Sequence, residues 1–408
     1  MVNIKNLFRK KGKKLPSAFS NIRNFNNNGN LDEKVKYHKK KKRIKIAAVL
    51  AFIAIAAFGY KLYYNNKVYT DYTVKEKTKT EKKSNSHYAK FSDYLIKYNN
   101  DGISYFTPKG QVWNQAFEMK KPVVDVCGSY AAIGEQRSNK IFVFDETGSK
   151  GQMETSYPIV KVEVANQGVV AALLEDKDAN YIEVRDKDGS QLITGKTVLD
   201  GNGYPIDFSL SEDGTKMVVS YLCITGGQVQ TKVLFYNFSE IGKNEVDRMV
   251  GGFNHYKTTI VPQVEFVTND IAIAFGDNIF TIYSMSQKPE IVAEQKFSDE
   301  VKKVFFSDKY IGVVYYNSKK DEPFELIVYS LNGKKEFSYT YTKEYNNVKF
   351  TGEDILFFDD LECKVVSLSG KVKFESTFAE EVIDMFPTKS RYTYLLIFND
   401  SVQKIKLK

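Results

Sequence analysis

One pattern recurs along most of the chain: an alternating apolar segment, a polar turn and then a glycine. Two of its copies are IFVFDETGSK (141–150) and LIVYSLNGKK (326–335). The glycines of five copies are Gly110, Gly148, Gly189, Gly333 and Gly370. Their spacings of 38, 41, 144 and 37 residues indicate a period of roughly 40, with room for more copies in the long interval. Because glycine reaches positive φ without a steric penalty, the pattern predicts a tight hairpin turn in each copy.

Each copy contains four short apolar segments in a constant order. In residues 123–157 they are VVDVCG, YAAIGEQ, KIFVFDETG and KGQMETSY. Later copies begin with PIDFSL (205), VPQVEF (261), VKKVFF (301), NNVKFT (346) and VIDMFP (382). Short strands with turn signals and no helical period predict an all-β array, and four strands per copy predict a β-propeller. The count favours an eight-bladed β-propeller, with a seven-bladed ring as the alternative if one copy is misread.

The last copy is incomplete, because RYTYLLIF and VQKIKLK supply its second and third strands and no fourth strand follows. A closed ring would leave that edge with unpaired backbone groups, which is unfavourable. The alternating segment VYTDYTVKEKT (68–78) is predicted to fill the position. Strands from both ends of the chain would then close the ring.

An apolar segment precedes the array. Residues 46–60 carry no charge, and extension to Tyr64 gives 19 residues with one lysine. This length predicts a transmembrane helix over residues 46–64, with a cleaved signal peptide and a buried globular helix as the alternatives. Lysine can extend its ammonium group to the interface, and tyrosines favour the same region. The expected membrane-interface residues are Lys42, Arg43, Lys45, Tyr60, Lys61, Tyr63 and Tyr64.

Charge is distributed very unevenly along the chain. Residues 1–45 carry a net charge of +13, and the remainder carries −4. The basic arm is predicted to be mostly disordered and cytoplasmic. A basic amphipathic turn at residues 4–8 fits an anionic leaflet as well as a solvated tail, and a protein or nucleic-acid partner is the remaining alternative. The juxtamembrane segment 65–86 and the propeller, residues 87–408, would then lie outside. A nucleic-acid surface on the folded part is not indicated.

The repeats are similar to those of quinoprotein-like and WD-like propellers. From Lys39 onward, the chain resembles a family of single-pass, membrane-anchored propeller proteins of clostridia and related Gram-positive bacteria, known only as a domain of unknown function. The resemblance implies a propeller held at the cell membrane, and it implies no enzymatic activity.

Motifs for chemistry are sparse. The three histidines, His38, His87 and His255, have no second ligand at metal spacing, and no P-loop or nucleophile elbow is present. Asp176, Asp178 and Asn180 begin like a calcium loop, but Tyr181 and Lys187 occupy the positions that need glycine and glutamate. Metal sites and cofactors are therefore not expected. Other carboxylates are expected at solvated turns.

Two further residue types bear on chemistry. Trp113 is the one tryptophan, which disfavours a quinone-binding propeller. The widely spaced Cys127, Cys223 and Cys363 predict buried thiols, with a Cys127–Cys223 bridge as the alternative.

The longest connections fall in the fourth copy. CITGGQVQ (223–230) and GGFNHYKTT (251–259) are predicted to be loops on one face of the ring, and DGNGY (200–204) enters the same blade. Variable loops on one face favour a binding role. Asn254, His255, Tyr256 and Lys257 are the predicted contacts.

Three hypotheses for the function follow. The first is a non-enzymatic scaffold that binds an envelope protein or glycan. The second is a propeller hydrolase that acts on envelope glycan through carboxylates in the channel. The third places the function in the basic arm, with the propeller as a sensor.

Overall fold

A computed structural model describes residues 28–80, 86–107, 109–198 and 203–408, so the amphipathic turn predicted at residues 4–8 lies outside the described residues. The chain forms two compact units, divided after Lys67. The first contains helix α1 (Asn28–Asn66), of which Val35–Tyr64 is long and apolar enough to cross a membrane. A signal sequence near an N-terminus would pass the same test.

Helix α1 begins well before the apolar segment, in the part of the arm that was predicted to be mostly disordered. That prediction is wrong for residues 28–45. Lysine, arginine, leucine and glutamate are good helix formers, and a helix that is already nucleated propagates at little cost. The apolar segment therefore continues as helix into the basic residues that precede it.

The second unit is an all-β ring of eight four-stranded antiparallel sheets, so the count of eight blades is confirmed and the alternative of seven is wrong. Blade 1 contains β2 (His87–Phe91), β3 (Tyr94–Asn99), β4 (Gly102–Thr107) and β5 (Gly110–Ala116). Blade 2 contains β6 (Pro122–Cys127), β7 (Tyr130–Glu135), β8 (Lys140–Asp145) and β9 (Gly148–Glu154). Blade 3 contains β10 (Ile159–Val164), β11 (Val170–Glu175), β12 (Asn180–Arg185) and β13 (Gln191–Thr197). Blade 4 contains β14 (Tyr204–Leu210), β15 (Lys216–Thr225), β16 (Gln228–Asn237) and β17 (Met249–Tyr256).

The other four blades continue the same order. Blade 5 contains β18 (Gln263–Thr268), β19 (Ile271–Phe275), β20 (Ile279–Ser284) and β21 (Glu290–Lys296). Blade 6 contains β22 (Glu300–Phe306), β23 (Tyr310–Tyr316), β24 (Phe324–Ser330) and β25 (Lys335–Tyr341). Blade 7 contains β26 (Asn347–Thr351), β27 (Asp354–Phe358), β28 (Glu362–Ser367) and β29 (Val372–Thr377). Blade 8 contains β30 (Asp384–Pro387), β31 (Thr393–Ile397), β32 (Ser401–Leu407) and, from the other end of the chain, β1 (Tyr72–Lys79).

Strand β1 supplies the missing fourth strand of blade 8. It pairs antiparallel with β32, from Tyr72 opposite Leu407 to Lys79 opposite Ser401. The predicted pairing of this segment with the end of the chain is thus observed. Just before β1, the backbone N–H of Tyr69 donates to the carbonyl of Lys373 at 2.6 Å, which adds a link to blade 7.

Hydrophobic cores lie between neighbouring blades rather than within one blade. The core between blades 7 and 8 includes Tyr69, Phe374 and Ile405. Another core contains Leu395 of blade 8 and Phe91 of blade 1. The packing between neighbouring blades therefore continues from the last blade to the first. Because each sheet buries its two faces against the next sheets, the blades stabilise one another around the ring.

The repeated glycines occupy the turns between third and fourth strands. All five have positive φ, from 81° at Gly370 to 121° at Gly148, as the hairpin pattern predicts. The cysteines are all free thiols, in β6, β15 and β28, so the alternative of a Cys127–Cys223 bridge is wrong. Cys223 and Cys363 are buried and Cys127 is half-buried, in line with thiols that pack as small apolar groups.

We expect Tyr69→Ala to lower the free energy of unfolding by about 3 kcal/mol, because the ring is 5% exposed in the core between blades 7 and 8. Denaturant unfolding of the full chain, followed by circular dichroism, measures this value. Val68→Ala removes an exposed neighbouring side chain and is the control. Equal effects of the two substitutions would contradict a role for Tyr69 in ring closure.

Candidate functional site

The predicted contact segment of blade 4 is a strand rather than a loop. Residues 251–256 belong to β17, which pairs with β16, so the loop prediction is wrong for them. The glycines at its start do not interrupt pairing, because Gly251 and Gly252 lie opposite Phe235 and Leu234. Tertiary packing against β16 overrides the local turn preference of the sequence.

Three of the four predicted contact residues are exposed. Asn254, His255 and Lys257 face solvent, whereas Tyr256 is only 2% exposed and shares a hydrogen bond with the Tyr283 hydroxyl. His255 Nε2 lies 2.8 Å from Oε1 of Glu294 in blade 5. The exposed three remain predicted contacts, and Tyr256 belongs to the core between blades 4 and 5.

Residues 223–230 also form regular structure where a loop was predicted. Strands β15 and β16 contain ten residues each, and the corresponding strands of the other blades contain five to seven. Their pairing continues to Thr225 opposite Gln228, around a turn made by Gly226 and Gly227, both at positive φ. We call residues 223–230 the blade 4 hairpin. Its three added pairs extend the blade by about 10 Å.

Apolar side chains are exposed on the blade 4 hairpin. Ile224 is 71% exposed and its cross-strand partner Val229 is 47% exposed. Exposed Ile260 lies in the β17–β18 connection, on the same face. Residues 199–202 of the predicted neighbouring connection lie outside the described residues. Exposed apolar groups gathered at one end of a blade are typical of an interaction surface.

A second group of polar side chains lies on the first strands of the blades, which contact one another around the axis of the ring. Blades 2 to 5 contribute acids, namely Asp125, Glu163, Asp207 and Glu265. The first strands of blades 1, 6 and 7 carry Lys90, Lys303 and Lys349, and Nζ of Lys349 lies 2.6 Å from Oδ1 of Asp384 in blade 8. We call Asp125, Lys161, Glu163, Asp207 and Glu265 the axial cluster.

Three acids of the axial cluster accept hydrogen bonds from the backbone of the following blade. Oδ2 of Asp125 accepts from Val164 N–H at 2.7 Å, and Oε2 of Glu163 accepts from Leu210 N–H at 2.6 Å. Oδ2 of Asp207 accepts from Val264 N–H at 2.8 Å. These amides lie in or beside the first strand of the next sheet, where no further strand can accept from them.

Lys161 joins two of these acids. Its Nζ lies 2.8 Å from Oε1 of Glu163 and 2.7 Å from Oδ1 of Asp207. It also donates to the carbonyl of Phe208 at 2.7 Å. One ammonium group therefore links blades 3 and 4, through two nearly buried carboxylates and a lysine side chain that is 35% exposed.

Burial controls protonation in the axial cluster. It raises the pKa of the Glu163 carboxyl to about 7, although Lys161 acts in the opposite direction. Burial likewise raises the pKa of Asp125 and of Glu265. It acts to lower the pKa of Lys161, but the carboxylates of Glu163 and Asp207 outweigh it and raise that pKa.

The axial cluster was missed because carboxylates were expected at solvated turns, which is wrong for these acids. A signal was present in the sequence. VVDVCG, IVKVEVA, PIDFSL and VPQVEF each place one acid in an apolar first strand of a unit. A charge that recurs at one place in a repeat indicates a shared environment.

No group of three or more His, Cys, Asp or Glu side chains that could hold a metal ion occurs within residues 28–80, 86–107, 109–198 and 203–408. The seven predicted membrane-interface residues all lie in α1. Tyr60 and Tyr64 pack their rings 4.5 Å apart, one helical turn from each other.

Comparison with known families decides the relationship of the chain. A family model described as "Family of unknown function (DUF5711)" matches residues 65–407. The chain belongs to this family. No curated protein matches it in sequence.

Solved propeller structures are similar to this chain in fold. BamB from Moraxella catarrhalis is similar, with 13% identity, a TM-score of 0.50, and coverage of 83% of this chain and all of BamB. Sqt1 from Chaetomium thermophilum, solved with the N-terminus of ribosomal protein L10, has 9% identity and a TM-score of 0.50 over 84% of this chain and all of Sqt1. At such identities the likeness shows the propeller fold alone.

The pKa of Glu163 predicts that the protein loses stability as pH rises. Glutamate in an unfolded chain ionises near 4.5, and Glu163 in the folded protein ionises near 7. Between these values the folded state holds a proton that the unfolded state has released, so the free energy of unfolding falls with rising pH. We expect Glu163→Gln to reduce that fall by on the order of 2–3 kcal/mol.

Denaturant unfolding at a series of pH values from about 4.5 to 8 measures this slope. Glutamine keeps an oxygen that can accept from Leu210 N–H, so the backbone contact is retained. Glu154→Gln, at an exposed position of β9, is the matched control and is expected to leave the slope unchanged. Parallel curves for Glu163→Gln and the parent protein would contradict the assignment.

Proposed function

We propose that the protein is a membrane-anchored, non-enzymatic propeller that binds an envelope protein or glycan at the bacterial cell surface. Helix α1 would be the single membrane span, with the basic arm in the cytoplasm and the propeller outside. The asymmetry of charge across the apolar segment supports this orientation. The length of the apolar part of α1 supports the anchor over a cleaved signal.

The blade 4 hairpin is the observation that carries the binding role. The other four-stranded blades pack in the ring with shorter second and third strands, so packing does not require the extra length of β15 and β16. Ile224 and Val229, at the tip of the hairpin, are exposed. Exposing such a cross-strand apolar pair is unfavourable unless a partner covers it. Asn254, His255 and Lys257 lie beside the base of the hairpin, because Thr231 of β16 is paired with Tyr256.

A propeller hydrolase is the second candidate, favoured by the axial cluster. Glu163, with a pKa of about 7, has the protonation behaviour of a general acid. The oxygens of Glu163 and Asp207 are, however, bound by Lys161 and by backbone amides. These oxygens already make the contacts that hold neighbouring blades together, so the binding of an envelope protein or glycan is the better supported function. Loss of glycan cleavage in Glu163→Gln would reverse this choice.

We expect a photoreactive benzoylphenylalanine in place of Ile224 to form a discrete adduct in intact cells. The side chain at this position would lie in the contact with the partner. Lys309, exposed in the β22–β23 turn on the opposite face, is the matched position for a control. Val229→Asp is expected to remove the adduct, because a charge would be buried in an apolar contact. Adducts of equal yield at both positions would overturn the assignment of the binding face.

Orientation is tested separately with two single cysteines in a Cys127→Ser background. Lys319→Cys lies in the exposed β23–β24 connection, and Lys36→Cys lies in the basic part of α1. A membrane-impermeant maleimide is expected to label the first in intact cells and the second only after permeabilisation. Labelling of Lys36→Cys in intact cells would contradict the cytoplasmic arm.

A further inference from the structure

A cleft of about 230 Å³ opens between blades 3 and 4 at the end of the blade away from the blade 4 hairpin. Its inner wall is apolar and buried, with Val184 from blade 3 and Met217 and Tyr221 from blade 4. Leu192 and Val246 lie at its mouth and are exposed, Val246 to 80%. An engineered cavity of about 150 Å³ binds benzene, so this cleft has room for a small ligand.

One wall of the cleft departs from the repeat. Residues 238–248 connect β16 to β17 through two 3₁₀ turns, Glu240–Gly242 and Val246–Arg248. In blades 1 to 3 and 5 to 7 the same connection is a hairpin turn of two to five residues. Asp247 and Arg248 adopt φ values of 51° and 63°, a region that residues with side chains rarely occupy. Such local strain is often found at ligand sites.

Polar groups converge on the apolar wall. Inside the cleft, the hydroxyls of Tyr221 and Tyr236 lie 3.1 Å apart and share a hydrogen bond. Arg248 and Asp247 also line the cleft, whereas the ammonium group of Lys196 lies over the Tyr181 ring, on the other face of blade 3. Nη1 of Arg248 donates to the Ser239 carbonyl at 3.5 Å, and a guanidinium has four further N–H groups. An apolar cavity with a few placed polar groups is the usual form of a small-molecule site.

Strand β13 forms another wall of the cleft, and at Gly195 no side chain from this strand fills the cleft. A Cβ added there would have the Ile182 carbonyl oxygen, at 4.0 Å, as its nearest neighbour. The glycine is therefore not required by crowding from the chain itself. It also provides a position from which a large side chain can fill the cleft without displacing the backbone.

We propose that this cleft binds a small anionic amphiphile, with an alkyl or aryl group against Val184, Met217 and Tyr221 and an acidic head group at Arg248. The apolar walls supply most of the affinity, and the guanidinium of Arg248 selects the charge of the head group. A free carboxylic acid and the acyl chain of an anionic lipid share this chemistry. The site is separate from the blade 4 hairpin and does not depend on the role proposed for it.

A diazirine-bearing octanoate tests the site on the full chain in nanodiscs of neutral phosphatidylcholine. Photolabelling followed by peptide mass spectrometry is expected to place the probe on β13 and residues 246–249. Gly195→Trp is expected to reduce this labelling at least tenfold. Val292→Trp, in the outer strand β21, is the matched control and should leave labelling unchanged. Unchanged melting temperatures establish that both tryptophan variants are folded.

Charge selection is tested with the methyl ester of the same probe. Arg248→Gln is expected to lower labelling by the acid several-fold and to leave labelling by the ester unchanged. Lys196→Gln, on the other face of blade 3, is the control and is expected to change neither. Competition by free octanoate would identify a soluble acid as the ligand, and competition by phosphatidylglycerol in the nanodisc would identify a lipid chain. Labelling spread evenly over the outer strands, or insensitive to Gly195→Trp, would overturn the proposal.

Discussion

The antiparallel pairing of β1 with β32 is the interaction on which the ring depends. Blade 8 has three strands from the end of the chain and takes its fourth from the segment that follows α1. Each sheet buries its faces against its neighbours, so an open blade 8 would also leave the adjoining cores exposed. Tyr69, which precedes β1 in the chain, adds one contact to the closure, because its backbone N–H donates to the carbonyl of Lys373 in blade 7.

A different constraint acts around the axis. The first strand of every sheet has one edge that no strand of its own sheet covers, and its amide groups require acceptors. Asp125, Glu163 and Asp207 each provide an acceptor to the following blade. Their burial raises the pKa of two of them, and Lys161 limits the accumulation of negative charge. The same buried contacts thus join the blades and shift the pKa of the acids that make them.

Blade 4 departs from the repeat at both ends, and both proposals rest on it. At one end the added strand pairs of β15 and β16 present Ile224 and Val229. At the other end the long connection to β17 forms one wall of an apolar cleft. The sequence indicated the first departure as extra length but assigned it to loops. Turn-forming glycines are compatible with both a loop and a longer hairpin, and only cross-strand pairing distinguishes them.

The period of the glycine pattern and the alternation of apolar residues predicted the propeller fold and favoured eight blades over seven, because these are local signals that recur along the chain. The missing fourth strand of the last copy indicated the origin of the closing strand. The apolar segment likewise identified α1 but not where the helix begins. Tertiary structure decided the burial of Tyr256, the axial cluster and the cleft beside Gly195. Each of these features depends on contacts between side chains of different blades. The separation of two residues along the sequence does not determine how close they lie in the folded ring.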